Sequence, residues 1–480
     1  MKDNMELHQV IYCVLKTQIQ FGSYRYGDIL PTLEQAGGSF LVSLDTVRAA
    51  YLQLQRDGYI TLTQNVGSMV IKDYSDQEIE QFVQLFYSQR KYALIDLSKS
   101  IRPLLSHAQW AGFKNTPADI YSSMMQLKTL NGLQPFTAFH HLMKAYEVLG
   151  NELLLRLTWQ IFMFFEAPFF ATPQNPWSRF VFGVYSPKSL EYCLTQDWDS
   201  LKESIYHVQD DLSSAVSRFY EERITLPPSG QQIPFTWSAY KKASQICYSL
   251  AMDLLIQITR GRYPANTLLP SLDKLSKEKK VSVSTVRRAL SLLNGVGAVK
   301  SLKGVGTKIL PLNETSNNCD YTNPVVRKRL VSLAESLQIL TLSCRDVAQV
   351  TISSLDAAAL ETCRDHLSII HDLGQYELTT YAALELLGRF APYEALRSVY
   401  AKLLQQLFWG YPLRSLQNKN GDKTEFYRSC YETFIRALKE SDAGLFSEKL
   451  EELMIHEFHF TVENLIRFGI TEVSGLAVNW

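Results

Sequence analysis

Apolar residues recur at spacings of three and four across Leu7, Val10, Ile11, Val14, Leu15 and Ile19, the signature of one buried helix face. The same spacing returns at Ile246, Leu250, Leu254 and Ile258, and Gly22 and Gly261 stand where the two helices should end. Leu30-Pro31-Thr32 and Leu269-Pro270-Ser271 then predict a second, short helix with Thr32 or Ser271 as N-cap. A turn leads to Ser43 or Ser282, each capping a third helix. Its apolar face is Val47, Ala50, Tyr51 and Leu54 in one place, and Val286, Ala289, Leu290 and Leu293 in the other. Two β-prone runs bracket a glycine-containing turn after each: Tyr59–Thr63 with Ser68–Ile71, and Ala298–Leu302 with Thr307–Leu310. Helix, helix-turn-helix and β-ribbon is the order of a winged helix-turn-helix.

The two patterns are copies. Val42-Ser43-Leu44-Asp45-Thr46-Val47-Arg48 reappears as Val281-Ser282-Val283-Ser284-Thr285-Val286-Arg287, 239 residues later in a chain of 480. At that offset Gly22 meets Gly261, Leu30-Pro31 meets Leu269-Pro270, Gly58 meets Gly297, and Val66-Gly67 meets Val305-Gly306, without a gap. A repeat at half the chain length sets the architecture. Ser75–Glu222 and Pro324–Phe468 both carry long runs of helical periodicity, so the repeating unit is a winged helix followed by a helical domain. The expected fold is mostly α: winged helices at 1–73 and 239–311, all-helical effector-type domains at 74–225 and 324–480, and linkers at 226–238 and 312–323.

Charge separates the copies. The chain is neutral overall, but Met1–Asp73 holds three Lys and three Arg against seven acids, a net −1. Tyr240–Leu310 holds nine Lys and four Arg against three acids, a net +10. Phosphate neutralisation supplies much of DNA affinity, so the second winged helix is expected to be the electrostatic anchor, through Lys274, Lys277, Lys279, Lys280, Arg287, Arg288, Lys300 and Lys303. The first copy is left with weak binding, base or shape contacts only, or none. Met1–Gln9 lacks the apolar run of a leader, and Leu153–Phe170 is interrupted by Arg156, Gln160 and Glu166, which favours a buried helix over a membrane span. Seven scattered cysteines without a C-x-x-C pair suit a reducing, cytoplasmic setting.

Gly261-x-Tyr263, Leu269-Pro270-Ser271, Val281-Ser282-x-x-Thr285-Val286-Arg287-Arg288-Ala289-Leu290 and the wing Gly304-x-Gly306-Thr307 together resemble the GntR family of bacterial transcription regulators. The resemblance implies double-stranded operator DNA as partner. It assigns contacts to Ser271, Lys274, Ser282, Ser284, Thr285, Arg287, Arg288, Lys303, Gly304, Val305 and Gly306 in the second copy. In the first copy they fall on Thr32, Ser43, Asp45, Thr46, Arg48, Asn65 and Gly67. Leu44 and Val283, and Glu34 and Asp273, occupy positions where the family usually has arginine, and Asn65 stands for a wing glycine.

Phe139-His140 followed by Gly150-Asn151-x-x-Leu154 resembles the effector-binding domain of FadR-type members, the FCD-like fold, where one Asp and three His hold a metal beside an organic ligand. The corresponding residues are Phe136, His140, Tyr185 and His207, which implies a ligand cavity without the full metal set. In the second domain Leu378-x-x-Tyr381-Ala382 stands in place of the family's D-x-x-F-H, and Tyr431 and Leu453 fall at the later histidine positions, so neither metal nor cofactor is expected. His456-Glu457-Phe458-His459 lacks zincin spacing, and the chain has no G-x-S-x-G and no P-loop lysine. The expected function is a non-enzymatic DNA-binding regulator, a repressor type controlled by a small molecule and built as an intrachain pseudo-dimer, with a homodimer also open. The alternatives are a ligand-binding or protein-interaction module with vestigial DNA binding, and, as a minor reading, a metal-dependent enzyme.

Overall fold

The computed structural model describes residues 6–63, 67–117, 119–121, 135–176, 187–237, 242–417 and 421–476. The chain opens with α1 (Leu7–Gln20), α2 (Leu33–Phe40) and α3 (Leu44–Arg56), then the antiparallel β1 (Ile60–Thr63) and β2 (Gly67–Val70). Thr32 caps α2 and closes a capping box with Gln35, while Ser43 caps α3 by accepting from the Thr46 N–H. Between them Leu41 adopts φ 55°, the left-handed residue that turns the chain through the helix-turn-helix corner.

The first helical region contains α4 (Asp76–Ser88), α5 (Lys91–Lys114), α6 (Pro135–Glu147), α7 (Glu152–Ile161), α8 (Ala167–Ala171), α9 (Pro187–Thr195) and α10 (Trp198–Glu222). A π-helical turn, Phe162–Glu166, joins α7 to α8. This stretch, Glu152–Ala171, is long and apolar enough to cross a membrane, but 67% of its apolar window is buried inside the protein. It seats the first winged helix: Phe139, Met143, Trp159, Phe162 and Met163 join the core made by Leu15, Phe40, Val47 and Leu54. The Trp159 indole N–H donates to the Phe40 carbonyl at 2.7 Å, and Ser23 Oγ donates to the Ala171 carbonyl at 3.2 Å.

The second copy follows: α11 (Lys242–Thr259), α12 (Leu272–Lys279), α13 (Val283–Gly295), β3 (Val299–Leu302) and β4 (Gly306–Ile309). Its register is that of the first copy moved along the chain. Ile60 pairs with Val70 and Val299 with Ile309; an extra bridge joins Ile29 to Met69 and Leu268 to Lys308. Lys280, in the place of Leu41, has φ 53°. The repeat seen in the sequence is therefore a repeat of backbone geometry.

The remaining elements are α14 (Thr315–Asn318), α15 (Pro324–Ser353), α16 (Ala357–Leu373), α17 (Thr379–Phe390), α18 (Glu394–Leu407), α19 (Tyr411–Gln417), α20 (Gly421–Glu440) and α21 (Ala443–Arg467). Helices α10 and α21 correspond closely: each has 25 residues, each is capped by an aspartate (Asp197, Asp442), and each follows a left-handed residue (Gln196 φ 57°, Ser441 φ 56°). The long helices α5 and α15 pack on each other, α5 also packs on α18, and α15 on α7, so equivalent helices meet reciprocally.

The polar contacts at this seam are reciprocal too. Asp96 on α5 accepts from the Glu394 and Ala395 N–H groups that open α18, at 2.6 and 2.8 Å. Glu335 on α15, 239 positions later, accepts from the Glu152 N–H that opens α7, at 2.9 Å. Each carboxylate thus caps a helix of the other repeat, meeting unpaired N–H donors and the positive end of the helix dipole. Asn151 adds bonds to the Glu335 carbonyl and the Gln338 side chain, and Gln338 in turn donates to the Leu149 and Leu476 carbonyls.

Neither segment expected as a linker is slack. At 226–237 the Ile233 N–H donates to the Gln89 carbonyl, and the Trp237 side chain is fully buried. Residues 312–323 form a 3₁₀ turn and α14, which press on the second winged helix: a Cβ on Gly297 would stand 2.3 Å from the Thr315 carbonyl oxygen. The polar and Pro/Gly composition suggested a tether; Phe235, Trp237 and the turn at Gly297 instead anchor both segments by burial.

Two outcomes test this architecture. Burial pushes the Glu335 carboxyl up to about 7, so the folded chain holds its proton more tightly than the unfolded chain does. Stability from this group is full below about pH 4.5 and declines as pH rises through about 7. Glu335→Gln should therefore gain melting temperature relative to the parent as pH rises from 5 to 8; a constant difference contradicts it. Trp159→Phe removes the bond to the Phe40 carbonyl at an expected cost of about 1–3 kcal/mol. Amide exchange should quicken more across residues 7–63 than across 249–309, and equal changes contradict the seating described.

Candidate nucleic-acid interface

The second copy presents its helix-turn-helix and wing to solvent. Ser282 Oγ accepts from the Thr285 N–H at 3.2 Å and lies 2.9 and 2.8 Å from the Ser284 and Thr285 hydroxyls, so three small polar side chains gather at the exposed N-terminus of α13. One turn on, Arg287 and Arg288 are exposed, whereas Val286, Ala289 and Leu290 face the core. Ser271 caps α12 beside the exposed Lys274. The wing tip turns through Gly304 at φ 76° and Gly306 at φ 136°, conformations that favour glycine, and holds Val305 61% exposed beside Lys303.

Cations cluster on this face without acidic partners. Lys274, Lys277, Lys280, Arg287, Arg288, Lys300 and Lys303 are all exposed, and none has a carboxylate within ion-pair distance among the described residues. Lys279 is a correction: Asp253 holds its ammonium at 2.7 Å and its side chain is largely buried, so it ties α12 to α11 instead of facing outward. The face gathers positive charge in a surface shaped for a groove.

The first copy has the same backbone and a different surface. At the positions of Lys274, Lys277, Lys280, Arg288 and Lys300 it carries Gln35, Gly38, Leu41, Ala49 and Thr61. Thr32 and Ser43 serve as caps, and Ser43 Oγ lies 2.9 Å from the Thr46 hydroxyl. Arg48 is held 2.9 Å from Asp45 on its own helix, and Arg25 lies 3.1 Å from Asp76. Leu41 and Leu44 are 41% and 43% exposed. Gly67 opens β2 at φ 100°; Asn65 lies outside the described residues.

The residues expected to line an effector cavity are placed elsewhere. His140 Nε2 lies 3.0 Å from the Ser39 carbonyl oxygen at the end of α2. Phe136 packs edge-on against Phe40 with ring centroids 5.3 Å apart. Both therefore fasten the first winged helix to its helical region, because α6 lies against α2. His207 is exposed on α10, and Tyr185 lies outside the described residues. The Gly150-Asn151 pair works at the seam: Asn151 caps α7, and a Cβ on Gly150 would stand 2.8 Å from the Gly475 carbonyl oxygen. Beside Tyr381, Arg414 and Glu457 lies a small, partly open hollow of about 30 Å³. Among the described residues no group of three or more His, Cys, Asp or Glu side chains is placed to hold a metal.

Among solved structures, Streptococcus agalactiae GntR is 18% identical over 44% of this chain and 99% of its own, with a TM-score of 0.21. A Listeria monocytogenes structure, titled as Lar controlling expression of the agr system and mediating virulence, is 16% identical over 46% of this chain and 99% of its own, at TM-score 0.23. E. coli McbR/YncC is 16% identical over 46% of this chain and 98% of its own, at TM-score 0.26. These likenesses are too low to carry weight by themselves. No curated protein matches the chain. Residues 7–70 and 249–309, the two winged helices, each match the family described as bacterial regulatory proteins, gntR family. The chain thus carries, twice over, the DNA-binding domain of the gntR family of transcription regulators.

Proposed function

We propose that this regulator grips its operator chiefly through the second winged helix. One observation carries the reading: seven exposed cations, with no acidic partner among the described residues, surround α12, α13 and the wing of the second copy, where the first copy has neutral residues and a self-paired Arg48. The N-terminus of α13 enters the major groove, with Ser282, Ser284 and Thr285 at base edges or phosphates. Arg287 holds phosphate, Arg288 phosphate or a base edge, and Lys303 to Gly306 follow the backbone into the minor groove. The first copy, through Thr32, Ser43, Asp45, Thr46, Arg48, Asn65 and Gly67, adds at most a minor contact. A protein with unequal halves fits an operator with unequal half-sites.

The reciprocal seam supports the pseudo-dimer reading, in which one chain does what two subunits otherwise do. A small-molecule effector of the helical regions completes the proposal, shifting the population between arrangements of the second winged helix that do and do not fit DNA. The match of both winged helices to bacterial regulatory proteins supports the non-enzymatic, cytoplasmic role in this proposal. Vestigial DNA binding remains the better description of the first copy alone, favoured by the Arg48–Asp45 pair.

On upstream DNA, Arg287→Ala should lower affinity by about tenfold or more, and flatten the dependence of log affinity on log salt by about 0.9. Arg48→Ala should change both little. Equal effects, or a larger loss from Arg48→Ala, would refute the assignment.

A further inference from the structure

A cleft of about 590 Å³ opens at the seam between the repeats, walled by α5 and α10 on one side and by α15 and Tyr393 on the other. Its volume is that of a small-molecule pocket, roughly 300–1,000 Å³. It is separate from the space around Tyr381 and from His140. The lining carries Lys99, Arg102, Gln209, Asp210 and Asp346 among serine hydroxyls such as Ser213, with apolar surface between them.

The equivalent positions on the other face of the seam are packed. At the 239-residue offset Lys99 and Arg102 correspond to Gln338 and Thr341, and Ser213, counted from the helix caps Asp197 and Asp442, corresponds to Phe458, all buried. Gln338 fills that side by bonding the Leu149 and Leu476 carbonyls. Close packing is the norm for such an interface, so the open face is a specific departure from it.

Several of the charges are already committed. Arg102 lies 3.6 Å from Asp210 and stacks over Tyr206, and Asp346 accepts from the Tyr206 hydroxyl at 2.7 Å. Lys99 is exposed and has no carboxylate within ion-pair distance among the described residues. Gln209 is nine-tenths buried, and its Oε1 has no hydrogen-bond partner. Its Nε2 donates to Gln109 Oε1 at 3.4 Å, which leaves Oε1 as the atom open to a donor from the cleft. An occupant that completes the site brings an anionic group to Lys99, a hydroxyl donor to Gln209, and further hydroxyls for the serines.

We propose that this cleft binds a small polyhydroxylated anion, a sugar acid or a sugar phosphate. The site draws on both repeats and on α15, whose first turns seat the second winged helix: Val326 Cγ2 stands 2.7 Å from where a Cβ on Gly295 would lie, and Arg329 stacks 4.6 Å from the Tyr248 ring. As the means of control, the cleft rests on the regulator reading above; as a binding site it does not.

Titration calorimetry on the full chain without DNA separates the two, using glucuronate, glucose 6-phosphate, neutral glucose and acetate. One hydroxylated anion should bind at least tenfold more tightly than glucose or acetate, and which of the two does so identifies carboxylate or phosphate as the anionic group. Lys99→Ala and Gln209→Leu should each weaken it at least tenfold. Gln209→Leu also removes the 3.4 Å bond that Gln209 Nε2 donates to Gln109 Oε1, so its fold is checked by melting temperature, and Lys99→Ala, at an exposed position, carries the test if that variant fails to fold. Failure of both anions to bind the parent chain overturns the proposal, as does wild-type affinity in both variants. Binding that leaves DNA affinity unchanged supports the site and removes only its part in control.

Discussion

Two long helices, α5 and α15, lie against each other, and each offers a carboxylate to the opening turn of a helix in the opposite repeat. The rest of the molecule hangs on this exchange. A helix end buried without partners for its N–H groups is costly, and at α7 and α18 the partner comes from the other half of the chain. Neither helical region is therefore complete alone. The Asn151–Gln338 bonds and the close approach of Gly150 to Gly475 extend the same dependence.

From this frame the winged helices leave unequally. The first has a core of its own, widened by Phe139, Trp159 and Phe162, and is fastened through the end of α2. The second shares one continuous core with both helical regions and is pressed by α14 and α15 near the end of α13. In both the N-terminal turn of the recognition helix faces solvent. What differs is charge: the copies share a fold, and the exposed cations of the second have neutral counterparts in the first.

The winged helices were legible in the sequence because each step is local. Caps such as Ser43 and Ser282, the glycines at 22 and 261, and the periodicity of α3 and α13 act within a few residues. The offset of 239 residues also carried Asp96 onto Glu335, but two acids on helices say nothing about the distant N–H groups they cap. His140 and the Gly150-Asn151 pair were recognisable as a pattern, yet their roles depend on neighbours far along the chain: Ser39 for one, Glu335 and Gln338 for the other. The cleft beside Lys99 was invisible for the same reason, being made of helices that meet only after folding. At 226–237 and 312–323 composition points to linkers but not to how they pack: Phe235, Trp237, Leu312 and Tyr321 lie against a core made by distant residues.

In the proposed function the two copies of one domain divide the labour of DNA contact. Amide exchange of the full chain, free and bound to its operator, tests it directly. Protection gained across residues 271–306 and little change across 32–63 is the predicted result. Equal protection of both stretches, or protection confined to the first, would contradict it.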